Sequence, residues 1–492
     1  MSHSAMPSRN PRRGGPQAGV SLITTIAITG ILALLVLASL SFARSSTQQT
    51  ARQGRTDIAL QVADAGVNQY ASRLVEDPRY YDHWIDTAED PRIDPYGAVH
   101  APGTAWTPGV SWTYAGPSQT WSQLQDARFG TAAYSLRITP PASGSDLVTI
   151  QSTGQSNRNS PKPVTRSVQS QIHPTSIADF QMISNSTIHY GNTATTTGKL
   201  YSAVDINHEG DALAPAYAAH FVCSTGSTTG CNSSSRPASV YQAGAYDSVS
   251  TPSFQNKFPT PIDFSQFTQS LLDIKDAATS GGTAFNDPTV RAWEIQFLAD
   301  GRVRVFKITG STDPGAGLST IGCPATINVP TNGAMYFEQS VIVSDGTTKT
   351  DSCSATVGPR ASVVNGRVTV ATKGNVYIGG NIAYAASGDD VLGLIAANEV
   401  IVTKYTPSVL SWRAASLAQS GQWRTYQGSP DGAHSSMTYI GSQTTADGGY
   451  ASMFNSRSYQ YDDTLQRLRP PFYPILEGSW DTYYWREVLP PA

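Results

Sequence analysis

From Val20 to Ala43 the sequence VSLITTIAITGILALLVLASLSFA runs for 24 residues without a charge, and this segment constrains the chain more than any other. As a helix rising about 1.5 Å per residue it is roughly 36 Å long, enough to cross a hydrocarbon core of about 30 Å with some tilt. The apolar region of a cleaved secretory signal is shorter, about 7 to 15 residues, and ends at a small-residue cleavage site. The spacing therefore predicts a transmembrane helix that stays with the chain. Residues 1–19 are polar and basic, with Arg9, Arg12 and Arg13, whereas a lone Arg44 and mixed charge follow the segment. The positive-inside rule then places the N-terminus in the cytoplasm and everything beyond the segment outside, in a single-pass protein bathed by cytoplasmic membrane lipid.

The apolar run continues into RSSTQQTARQGRTDIALQVADAGVNQYASRLVEDP, where Ala59, Val62, Ala63, Gly66, Tyr70 and Leu74 recur at helical spacing. One helix is predicted from Val20 to about Val75, stopped by Asp77-Pro78. Its first half is apolar all round, as lipid requires. Its second half, residues 44–76, is an amphipathic stalk that needs one face buried against protein.

Arg12-Arg13, then Ala18-Gly19-Val20-Ser21-Leu22-Ile23, then the apolar run resemble a type IV prepilin leader. The resemblance implies cleavage between Gly19 and Val20 by a prepilin peptidase, with Val20 as the mature N-terminus. At the fifth mature position major pilins carry a Glu whose charge pairs with a neighbouring terminal amine; this chain has Thr24. Lack of that Glu, together with Ile58-Ala-Leu-Gln-Val-Ala-Asp-Ala-Gly66 followed by Asn68 and Leu74, is similar to the PilX N-terminal family. The resemblance implies a minor pilin or pseudopilin-like subunit that meets other pilin-like subunits through its N-terminal helix and reaches a surface filament.

A net charge of -3 and the lack of any basic cluster interleaved with aromatics speak against nucleic-acid binding. Beyond about residue 80, Gly, Pro, Ser and Thr dominate and favour turns and strands over long helices. The four cysteines, Cys223, Cys231, Cys323 and Cys353, lack CxxC spacing and all follow the apolar segment. Three pairings are open; pairing nearest neighbours, Cys223 with Cys231 and Cys323 with Cys353, closes two local loops and suits an oxidising compartment.

Residues 77–172 read as Pro-rich, aromatic loops followed by a small antiparallel sheet, with strands around Leu136 and Ile138, Val148 and Ile150, and Val164, Val168 and Ile172. Residues 173–492 carry a looser repeat. Segments 334–343, 367–378 and 391–402 each place two apolar pieces around a polar turn, offset by 33 residues and then by 24, with Val368 matching Leu392. A short right-handed β-helix is expected, with Asn375 and Asn398 in its turns, opening coils within 183–210 and a Tyr/Trp-rich cap from Phe454 to Trp485. The fold class expected for the whole chain is α+β, mostly β.

Chemistry is sparse. Asp86, Asp90 and Asp94 lie four apart but lack the ligand order of an EF-hand. Asp389-Asp390 and Glu399 are the carboxylates to weigh for glycan cleavage, yet adjacent residues of an extended chain face opposite ways. His208-Glu209 lacks the second histidine of a zinc protease motif, and no nucleophile elbow, phosphate loop or dinucleotide fingerprint is present. No enzyme, metal or cofactor is expected. Tyr377, Tyr384 and Tyr405 leave open a second reading, a surface adhesin or carbohydrate-binding protein on a pilin-like anchor.

Overall fold

The structure, a computed structural model, describes residues 18–78, 80–82, 112–113, 121–123, 129–141, 145–159, 163–191, 194–219, 221–223, 231, 262–309, 313–316, 324–344, 362–385 and 389–490. It contains one long N-terminal helix, α1 (Ala18–Glu76), followed by a body made mostly of strands. The helix is unbroken for 59 residues and ends where Asp77 donates its N–H to Arg73 just before Pro78. Within its apolar half, Thr29 and Ser41 donate their hydroxyls to the carbonyls of Ile26 and Ala38. Such back-bonding removes the cost of carrying a hydroxyl in hydrocarbon.

The stalk half lies on an antiparallel sheet whose central strands are Ala133–Thr139, Val148–Ser156 and Val164–Ser176. Register pairs Ile138 with Ile150 and Val148 with Ile172, so the apolar residues of alternate positions share one face. That face and the stalk form one core, in which Val62, Ala63, Tyr70 and Leu74 pack on Leu136, Ile150, Val168 and Ile172.

A fourth long strand of this sheet comes from the far end of the chain. Ile475–Val488 pairs antiparallel with Val164–Ser176, from Ile475 opposite Ser176 to Val488 opposite Ser167. The expected boundary at residue 172 and a cap ending the chain are therefore replaced by an insertion: the chain leaves the sheet after Ser176, builds the body, and returns at Ile475. Only the first part of the tail stays with the body, where Phe454–Gln460 runs parallel to His434–Ile440. The sheet partner of 475–488 lies about 300 residues earlier in the chain and leaves no local signal.

The body is built of parallel strands stacked in columns. One column runs through Thr283–Phe285, Ala334–Phe337, Arg367–Thr372, Val391–Ala396, Val409–Ala418 and His434–Thr445. A second runs through Ala292–Phe297, Ser340–Val343, Val376–Ile378, Val400–Val402, Trp423–Thr425 and Gly449–Tyr450. Val368 pairs with Leu392 as the repeat predicts, whereas Ala334 pairs with Thr369, a two-residue shift from the offset of 33. Inward residues such as Met335, Val370, Leu394 and Trp412 meet Val341, Ile378 and Val400 of the second column. Outward residues of the first column, among them Tyr336, Ala371 and Ile395, are covered by a second helix, α2 (Phe267–Ser280). Burial on both faces explains why these strands read as continuous apolar runs.

The segments expected to open the repeat do so in an unexpected place. Phe180–Ser184, Lys199–Ser202 and Ala216–Ala218 extend the first column beyond its last strand, His434–Thr445, through Thr444 opposite Ile183. Entry and exit of the inserted body thus lie side by side.

Candidate functional site: the anchor helix, its sheet and the neck

Two surfaces of α1 divide its work. From Ile26 to Phe42 the large apolar side chains are exposed, Leu34 to 68% and Phe42 to 76%. From Ala59 to Leu74 the residues picked out by helical spacing are buried, with Ala59, Val62, Ala63 and Leu74 at 0% exposure. Among the described residues α1 is the one helix long and apolar enough to span a membrane.

Close approach of helix and sheet depends on small residues. A Cβ added at Gly154 would lie 2.1 Å from the Ala59 carbonyl oxygen and 2.6 Å from the Ala63 nitrogen. A Cβ at Gly66 would strike Ser152 Oγ at 2.4 Å and the Tyr134 ring at 2.7 Å. Gly66 was visible as part of the stalk stripe; Gly154 was not, because a glycine in a strand shows no partner in sequence. At the outer strand the Trp485 indole donates to Asp64 Oδ1 of the helix at 2.8 Å.

The two chain crossings between sheet and body form a neck. Ser176 Oγ donates to the Pro474 carbonyl at 2.8 Å, and the Ile177 N–H to the same oxygen at 3.3 Å. Asp179, fully buried, accepts the Ser176 N–H on Oδ2, with His173 Nδ1 3.8 Å from the same oxygen. Burial pushes the Asp179 carboxyl up to about 6, against the opposing pull of His173 and the Ser176 N–H. Lys199 reaches Asp481 at 3.0 Å and Arg469 reaches Asp146 at 2.9 Å, each joining body to sheet.

Gly19, Val20 and Thr24 fall on the first turns of α1, but their side chains, and residues 1–17 before them, lie outside the described residues. Cys223 and Cys231 are joined by a disulfide, and the Cys231 N–H donates to Asp205 Oδ2. Cys323 and Cys353 lie outside the described residues, as do Asp86, Asp90 and Asp94.

The carboxylates weighed for catalysis are not brought together. Asp390 accepts the Gly366 N–H at 2.6 Å while Asp389 is exposed, and Glu399, at the other end of the strand Val391–Ala396, is held in a bidentate pair with Arg424. His208 is buried against Thr196 Oγ1. The tyrosines of the sugar-binding reading are dispersed or covered. Residues 313–316 roof Tyr377 and Tyr405: Gly315 packs on Tyr377, and the Tyr405 hydroxyl donates to the Pro314 carbonyl. Tyr384 lies under the Arg413 guanidinium, which is paired with Asp462. Asn375 does bridge neighbouring strands, accepting the Glu399 N–H, but neither it nor Asn398 is in the left-handed region. Among the described residues no group of three or more His, Cys, Asp or Glu converges as a metal site.

No protein-family model and no curated protein matches the chain. Among solved structures, the competence-associated pilin ComZ from Thermus thermophilus is faintly similar: 14% identity and a TM-score of 0.32, over 88% of this chain and 98% of that one. The DUF3494 domain of Shewanella frigidimarina ice-binding protein 1 is fainter still, at 12% identity and a TM-score of 0.20, over 59% of this chain and 97% of that one.

Proposed function

We propose that this chain is a minor pilin or pseudopilin-like structural subunit of the PilX N-terminal kind, anchored with its N-terminus in the cytoplasm and its body outside. The observation that carries the reading is a single helix with an apolar, exposed first half and a second half sunk into an antiparallel sheet, with residues 177–474 inserted between two strands of that sheet. An exposed apolar half of this length finds its partners in membrane lipid and in the like helices of other pilin-like subunits. The stacked parallel columns support a right-handed β-helix head, presented at the top of the stalk. The engagement of Asp390 and Glu399 in structural bonds supports a role in assembly and not in catalysis.

In this reading a prepilin peptidase cuts between Gly19 and Val20, and Thr24 leaves the subunit without the charge that major pilins use in the fibre core. The test is N-terminal sequencing of the protein extracted from membranes of cells with and without their prepilin peptidase. A mature chain beginning at Val20 only when the peptidase is present is the expected result. An intact Met1 in both would remove the chain from the pilin pathway and leave a signal-anchored surface protein.

A further inference from the structure

Between its apolar half and the part sunk into the sheet, α1 runs bare. Every residue from Arg44 to Gly54 is exposed, and Arg55 and Thr56 are half-buried. The stretch, RSSTQQTARQGRT, is rich in Ser, Thr and Gly, which are weak helix formers. Four of its hydroxyls bond back along the helix: Ser45 to the Phe42 carbonyl, Thr47 to Ala43, Thr50 to Ser46 and Thr56 to Arg52. Its charges are all of one sign, so no ion pair within the stretch supports it. A helix that is polar all round, with neither packing nor such pairs, needs a partner to be stable.

The charges also have a direction. At about 100° per residue, Arg44, Arg55, Gln48 and Arg52 fall at about 0°, 20°, 40° and 80° around the axis, whereas the nearest carboxylates along the helix, Asp57 and Asp64, fall at about 220° and 200°. None of the three guanidiniums has an ion pair or a side-chain hydrogen bond among the described residues. The basic face continues upward into Ala59, Val62 and Gly66, which are buried where the sheet rests on the helix. The belt of arginines therefore faces the space between the lower end of the sheet and the membrane, a height of about 22 Å from Arg44 to Ala59.

That geometry selects the occupant. The headgroup layer, about 5 to 7 Å deep beyond the hydrocarbon, reaches Arg44 beside the apolar run, but Arg52 and Arg55 stand about 12 and 16 Å above it. A second copy anchored at the same height does not fit either: its helix runs on to Glu76, about 48 Å beyond its Arg44, and on this face would run into the sheet at Ala59. What fits is a helix about 10 Å wide that ends or turns away within about 15 residues of its own span and presents carboxylates to the arginines.

We infer that residues 44–55 of α1 are a docking belt for the membrane-proximal segment of a different single-span subunit, a short helix whose Asp or Glu side chains meet Arg44, Arg52 and Arg55. The inference rests on the membrane anchor proposed above and is independent of leader cleavage.

The test uses the full chain, with a fluorescent donor fused after Ala492, reconstituted in phosphatidylcholine vesicles. The probe is a synthetic peptide labelled with an acceptor, in which an apolar span of about 24 residues is followed by about three helical turns bearing Glu on one face; its twin bears Gln. Energy transfer is expected to show the Glu peptide binding at least about tenfold more tightly than its twin. The preference is lost when Arg44→Gln, Arg52→Gln and Arg55→Gln are combined, is kept with Arg44→Lys, Arg52→Lys and Arg55→Lys, and reverses toward a Lys peptide with Arg44→Glu, Arg52→Glu and Arg55→Glu. Gln, Lys and Glu are good helix formers, so these variants keep the helix. Equal binding of the two peptides, or a preference that survives the Gln variant, overturns the inference. Loss of the preference when about a quarter of the lipid is phosphatidylglycerol makes the headgroup the occupant, and arginine-dependent transfer between two labelled copies without peptide makes a second copy the occupant; either result overturns it as well. Failure of the anchor reads differently: a chain that carbonate strips from the vesicles loses its anchor and this belt with it, whereas a chain that stays but treats both peptides alike loses the belt alone.

Discussion

At Gly154 the strand backbone touches the helix backbone, with no room for a side chain between the Ala59 carbonyl and the position a Cβ would take, 2.1 Å away. Gly154→Val forces stalk and sheet apart and is expected to destabilise their unit by about 3 kcal/mol, read as a lower midpoint in chemical denaturation followed by circular dichroism. An unchanged midpoint would mean that the stalk does not rest on this sheet. Asp179 gives a pH signature. Its carboxyl sits near 6 in the folded chain against an ordinary 3.8, because burial favours the protonated form. The folded state therefore holds that proton more tightly than the unfolded chain, so the buried carboxyl carries no penalty below about pH 4 and its full penalty above about pH 6. Asp179→Asn is expected to match wild type in stability at pH 4 and to exceed it by up to about 3 kcal/mol at pH 7.5. A gain that is the same at both pH values would show that Asp179 is not titrating in this range.

At the level of elements, α1 joins two solvents in one rod. Its exposed apolar half needs lipid or other apolar helices, while its stalk half needs the sheet. Leu32, 54% exposed in the middle of the apolar half, is expected to tolerate Ala but not Lys, which costs about 3 kcal/mol at the centre of a membrane helix. Leu32→Lys should shift the protein from the carbonate-resistant membrane pellet into the soluble fraction, and its continued retention in the pellet would place the span elsewhere. Helix α2 shows the limit of pattern reading. Phe267, Ile274 and Ala278 do face the body, but a short helix between long Ser/Thr/Gly stretches was lost among strand-like segments.

On the scale of the whole molecule, the body is an excursion from a hairpin-like pair. Ser176 and Ile475 face one another in register, so a short turn joining them closes the sheet without residues 177–474. The shortened chain is expected to keep its helix and sheet and to melt in one cooperative transition. A molten or aggregating product would show that base and body fold as one unit.

The amino-acid sequence by itself determined what depends on neighbours within a few turns. An uncharged run of membrane length, the stalk stripe Ala59, Val62, Ala63, Tyr70 and Leu74, the three adjacent strands and the match of Val368 with Leu392 are all local periodicities, and each reappears in the structure. The Cys223 to Cys231 bond spans eight residues and was legible for the same reason. Where the tail goes, and that the first strands of the body stack beyond its last ones, were settled by tertiary packing alone. Those outcomes are set by pairings over hundreds of residues, where hydrogen-bonding edges and apolar faces are interchangeable until packing selects one arrangement.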